Sequence, residues 1–223
     1  MNGVALPWNL NDPVGSTVPP RAYRSPVRQD AALRTRTALL DAAETAFAAN
    51  GYTRVRIADV ARTAGVAVNT VYTSVGGKPE LVKAIVDRYV DHAVVQAALA
   101  HVNDSPSAEQ LVADLVAGVR SSYEVTLQPA SIVIDAARDD PTLSAVRDAM
   151  TTPFQDRLRR VAARWIALSG SPATEDAVFD RFWFFLGYDA WNTLTSFDWS
   201  WDERERWTAR QLSSALEELR SGR

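Results

Sequence analysis

Residues 56–75, RIADVARTAGVAVNTVYTSV, set one glycine between two short apolar repeats. Ile57, Val60, Ala61 and Ala64 fall at i, i+3, i+4 and i+7, the spacing of one buried helix face, and Val68, Val71, Tyr72 and Val75 repeat it. One continuous helix cannot carry both, because Gly65 takes the positive φ that ends the first without strain. Two short helices on so tight a corner predict a helix-turn-helix, with Val66 turned inward as an apolar pin. A preceding helix over about Asp30–Asn50 closes the third side. Its Leu33, Leu40, Ala43 and Phe47 share a stripe, and Asn50-Gly51 supplies a left-handed end.

Beyond the corner the pattern stays helical. Gly76-Gly77 stops the second short helix, and Pro79 and Glu80 suit the first turn of the next, which runs through Leu81–Leu99. Helices are expected over 108–127, 129–138 and 142–168, punctuated by Pro129, Pro141 and Gly170-Ser171-Pro172, with a break or kink at Pro153. Residues 175–194 and 202–220 close the chain. No segment alternates with period two, so the fold class is all-α: an N-terminal three-helix helix-turn-helix domain (30–78) and a C-terminal helical domain for ligand binding and dimerisation (79–223). Residues 1–29, with five prolines and little periodicity, read as a flexible arm. Arg21, Arg24 and Arg28 in that arm could reach a minor groove.

Hydrophobic content of 47% with 23% charge is that of a chain able to bury a full core. No run approaches the roughly 20 apolar residues that span a bilayer, and the N-terminus lacks a secretory pattern. The absence of cysteine removes disulfides, thiolate metal sites and a cysteine nucleophile. His92 and His101 lie nine apart, off a shared helical face, so no metal site is expected. A cytoplasmic location follows by exclusion. Charge is uneven: residues 1–90 hold eleven Arg and Lys against seven Asp and Glu, and residues 91–223 hold thirteen against twenty. A basic front on an acidic body suits a polyanion at the N-terminal end.

If the apolar positions of the second short helix all face inward, its outer face presents Asn69, Thr70, Thr73 and Ser74. Short uncharged hydrogen-bonding groups fit a major groove, where Asn bonds adenine bidentately and a Thr methyl meets the thymine methyl. That helix has no charge, so phosphate contacts are expected from its surroundings: Arg54, Arg56, Lys78, with Arg62 and Lys83 further out.

The stretches LLDAAETAFAANGYTRV (39–55) and IADVARTAGVAVNTVYTSVGGKPELVKAI (57–85) resemble the N-terminal DNA-binding domain of the TetR family of transcriptional regulators. The likeness covers roughly residues 35–85 and keeps the spacing of Ala64-Gly65-Val66, Thr70-Val71-Tyr72, Lys78 and Leu81. It implies a homodimer with one DNA-binding head per subunit, a palindromic double-stranded operator, and a variable helical domain that binds a small effector and releases the DNA. It also implies that Tyr72 and Lys78 touch phosphates. Three residues depart from the pattern. Ala67 stands where Ser or Thr usually caps the helix, a loss of roughly 1 kcal/mol. Arg56 stands where Thr often caps the helix before it, and Val75 replaces a usual Phe.

In the C-terminal half, VFDRFWFFLGYDAWNTL (178–194) carries aromatics around its whole circumference, which requires burial on both sides. One side is expected to face the chain's own core and the other a second subunit, with the next helix beside it. Phe179, Phe185, Trp191, Leu212 and Leu216 are the candidate dimer contacts. An apolar or aromatic effector is expected among Tyr123, Ile132, Phe154, Trp165, Phe182 and Trp183, with Arg120, Asp135 or Gln128 as polar anchors. Catalysis is not expected. The acidic pairs Asp139-Asp140 and Glu217-Glu218 point to different sides of a helix, and no nucleophile, phosphate-loop or dinucleotide motif is present, so no cofactor is expected either. The reading is a ligand-released repressor. The alternative is a helical interaction adaptor whose neutral head has lost DNA.

Overall fold

The computed structural model describes residues 26–90, 94, 97 and 101–221. Residues 1–25 of the expected arm, with Arg21 and Arg24, and His92 lie outside the described residues. The described chain is helical, in the order α1 (Pro26–Asn50), α2 (Ile57–Thr63), α3 (Val68–Ser74), α4 (Lys78–Val90), a 3-10 turn (His101–Asp104), α5 (Ala108–Asp139), a second 3-10 turn (Pro141–Leu143), α6 (Ser144–Ser169), α7 (Glu175–Leu186), α8 (Tyr188–Leu194) and α9 (Trp201–Ser221). No strand occurs among the described residues.

The corner forms as its sequence dictates. Gly65 has φ +71°, its amide donates to the Arg62 carbonyl, and the Val66 amide reaches back to Ala61 at 3.0 Å. These two bonds satisfy carbonyls that the end of α2 would otherwise leave free. Val60, Ala61 and Val71 are fully buried, and Val66 packs half-buried beside them. Neither Arg56 nor Ala67 makes a side-chain cap, as their departure from the capping residues requires.

Three expectations about helix ends are corrected. α1 begins at Pro26, earlier than expected, and Leu33 is 62% exposed because the buried stripe starts only at Leu39. Pro129 does not divide α5, and Pro153 does not end α6. An interior proline costs roughly 3 kcal/mol. For α5 that cost is offset from both sides: Leu111 to Ala130 pack in the body core, while Ile132, Val133, Ala136 and Ala137 pack in the head core. Finally, 175–194 is two helices. Gly187 adopts an extended conformation (φ −65°, ψ 158°), and a Cβ there would stand 2.6 Å from the Trp183 carbonyl oxygen.

The head core therefore runs past residue 78. Leu81, Val82 and Ile85 of α4, the last turns of α5, and Leu143 complete a cluster begun by Leu39, Ala43 and Phe47 of α1. The body core is built by α5, α6, α7, α8 and α9 around Trp191 and Phe182. α5, about 48 Å long at 1.5 Å per residue, belongs to both.

Candidate nucleic-acid interface and ligand cavity

α3 shows one buried line, Val71, and an outward surface wider than expected. Asn69 and Thr73 are exposed, and Thr70 and Ser74 are half-buried. Val68 and Tyr72, expected to face inward, are 42% and 54% exposed. The reason is length: a two-turn helix pinned through Val71 and Val75 leaves its first turn and the 72 position beyond the neighbouring helices. Val68 thus adds an apolar group to the outward surface of α3. The Thr73 hydroxyl donates to the Asn69 and Thr70 carbonyls (3.0 and 3.3 Å), which spends its proton within the helix.

The surrounding cations differ in freedom. Arg54 and Arg56 are exposed, with no ion pair among the described residues, whereas Arg62 pairs with Asp59 at 2.7 Å. Lys78 is already engaged: its Nζ donates to the Thr53 carbonyl at 3.2 Å and lies 4.5 Å from the Tyr52 ring centre. Spacing within the sequence missed Arg36, whose Nη1 donates to the Ser74 carbonyl at 3.0 Å. It closes the C-terminal end of α3 from α1, where no helical donor remains.

The loop before α2 is gripped by the far end of α5. The Tyr52 hydroxyl donates to Asp140 (2.8 Å) and the Thr53 hydroxyl to Asp139 (2.5 Å). Burial first, and then the Asp140 bond, push the Tyr52 hydroxyl well above its ordinary range. Asp140 is held below the usual carboxylate range, chiefly by the Thr142 hydroxyl and then by Tyr52.

Between α4, α5, α6, α7 and α8 lies a cavity of about 220 Å³, walled by Tyr89, Tyr123, Phe154, Arg157, Trp183 and Tyr188 among others. Of the expected effector residues, Tyr123, Phe154 and Trp183 reach it. Ile132 belongs to the head core, and Trp165 and Phe182 to the body core, so these three are corrected: each fills packing space instead of lining a void. The expected anchors are also spent or misplaced. Arg120 pairs with Glu124, Asp202 and Glu205, Asp135 pairs with Arg138, and Gln128 lines a separate groove beside Asp41 and Arg88. Arg157 was missed because its neighbours Arg159 and Arg160 make it look like one more solvated charge. Burial pushes the Tyr188 hydroxyl up to about 12 and raises Tyr123 further still.

The expected dimer contacts need the same correction. Trp191 and Leu212 are fully buried in the protomer's own core, Leu216 and Phe179 nearly so, and only Phe185 of that set is half-exposed. A side chain already enclosed has no area to offer a second copy. Phe184, 72% exposed and edge-on to Phe185 at 5.0 Å, does.

A helix-turn-helix with an outward polar rim is an arrangement that can enter a major groove, and here it is carried on a helical body with its own cavity. Residues 39–85 match the family described as bacterial regulatory proteins, tetR family, so the likeness to that family in sequence lies in the head. The fold extends the likeness over the body. A bacterial regulatory protein of the tetR family from Rhodococcus RHA1 aligns at TM-score 0.62 and 21% identity, covering 85% of this chain and 96% of that one. The transcriptional regulator FadR from Bacillus subtilis in complex with stearoyl-CoA aligns at 0.60 and 16%, covering 84% and 98%. The ketosteroid transcriptional regulator KstR2 of Mycobacterium tuberculosis aligns at 0.61 and 17%, covering 83% and 94%. No curated protein sequence matches the chain.

Proposed function

We propose that this protein is a cytoplasmic homodimeric repressor that holds a palindromic operator through α3 and lets it go when a small apolar or aromatic effector fills the cavity. The observation that carries the reading is the α3 surface: Asn69, Tyr72 and Thr73 stand exposed on a corner pinned by Val66 and Val71. In this reading Asn69, Thr70, Thr73 and Ser74 read bases, joined by Val68. Arg54, Arg56, Tyr72 and Lys78 hold phosphates.

A two-fold dimer spaces two such helices about one turn of duplex apart, ~34 Å, which is why the operator is taken as palindromic. The effector role rests on the cavity's position against α4 and α5, both of which continue into the head core. It is supported by the description of the Bacillus subtilis structural neighbour as a complex with stearoyl-CoA. No helix among the described residues is long and apolar enough to cross a membrane.

Selection of bound duplexes from a random pool tests DNA binding and yields the operator in one experiment. A two-fold symmetric consensus is the expected result, and failure to enrich any duplex would remove the reading.

A further inference from the structure

The cavity's wall carries one formal charge. Arg157 of α6 is half-buried, lines the cavity, and has no ion-pair partner among the described residues. No Asp or Glu side chain lines the same space. The other donors on the wall are largely committed: Tyr89 donates to Glu44, Tyr123 to the Leu186 carbonyl, Thr126 to the Ser122 carbonyl and Thr151 to the Arg147 carbonyl. A guanidinium beside Phe154, Met150 and Trp183 with no counter-charge is an unbalanced arrangement. Its planar donor fork is matched in shape and charge by a carboxylate, which two parallel N–H···O bonds can engage.

Resting on the effector reading above, we infer that the cavity takes a small apolar monocarboxylate, with its ring or branched body against Phe154 and Trp183 and its carboxylate on Arg157. Size sets the other bound. About 220 Å³ falls below the roughly 300–1,000 Å³ typical of sites for drug-sized ligands, so the body is one or two rings and not a long acyl chain. The Trp183 ring lies 6.2 Å from Phe154 and 6.4 Å from Phe179, so the cavity's aromatic wall is braced and a flat body is favoured.

The test is calorimetric titration of the full chain with 1-naphthoate and with its neutral isostere 1-naphthamide. Charge-assisted pairing predicts that the acid binds about ten- to a hundredfold tighter than the amide. Arg157→Gln should bring that ratio to about one while sparing the amide, and Arg157→Lys should retain part of it. Equal binding of acid and amide to the unmodified protein, a ratio unchanged by Arg157→Gln, or no heat from naphthoate at about 1 mM would each overturn the inference. Operator retention is followed in parallel. Arg157-dependent naphthoate binding that leaves DNA bound would support this ligand class while removing the effector role proposed above.

Discussion

The Tyr89 hydroxyl, on the wall of the cavity, donates to Glu44 of α1 at 2.8 Å. One side chain therefore touches both the cavity and the first helix of the helix-turn-helix head. Burial first, and then this bond, raise the Tyr89 hydroxyl above its ordinary range, so it stays a neutral donor at physiological pH. Arg88 braces the same carboxylate at 3.8 Å and Asp41 at 2.6 Å.

Tyr89→Phe keeps the ring on the cavity wall and removes only the link. Stability should fall by about 1.5–3 kcal/mol, the worth of one hydrogen bond to a carboxylate. Ligand affinity should change little, while the ratio of operator affinities with and without ligand should shrink by a factor of a few. Titrating labelled operator in both states measures that ratio. An unchanged ratio would place the coupling elsewhere, with the Asp139–Asp140 grip on Tyr52 and Thr53 as the next route.

Within the head, two substitutions should separate base reading from backbone binding. Asn69→Ala is expected to relax preference at one base pair by about 1–3 kcal/mol, visible as one blurred position in the selected consensus. Lys78→Ala is expected to weaken all sequences alike and lower the salt slope by about one. Because Lys78 also holds Tyr52 and Thr53, its removal should lower the melting temperature too, which Asn69→Ala should not do.

Phe184 is the apolar side chain most exposed on α7, and the dimer proposed above must cover it. Phe184→Glu should leave the helical circular dichroism intact and shift the sedimenting species toward the 24.5 kDa protomer. A variant that still sediments at twice that mass would move the interface off α7.

Asp140 offers a pH signature. Its folded pKa lies below the unfolded value, so the stabilisation is present above about pH 4 and is lost as pH falls through the depressed value. The melting-temperature gap between the unmodified protein and Asp140→Asn should be widest near neutrality and narrow as the pH falls below about 4. A gap that stays constant with pH would assign the contribution of Asp140 to hydrogen bonding without charge.

What a short window of sequence contains, it determined here. The α2–α3 corner rests on spacings of three and four residues and on one glycine, and both belong to a single stretch whose local geometry leaves few options. The uncharged rim of α3 follows from the same spacing. Tertiary structure decided everything that joins distant residues. Tyr52 meets Asp140 across 88 positions and Arg36 meets Ser74 across 38, and nothing local marks either pair. It also overrode local signals where packing energy was larger. α5 runs through Pro129 because two cores hold it on either side, and Val68 turns outward because a two-turn helix offers its neighbours only one buried line. Arg157 shows the limit most plainly. In sequence it is one arginine among several, and only the fold sets it against a cavity with no opposite charge.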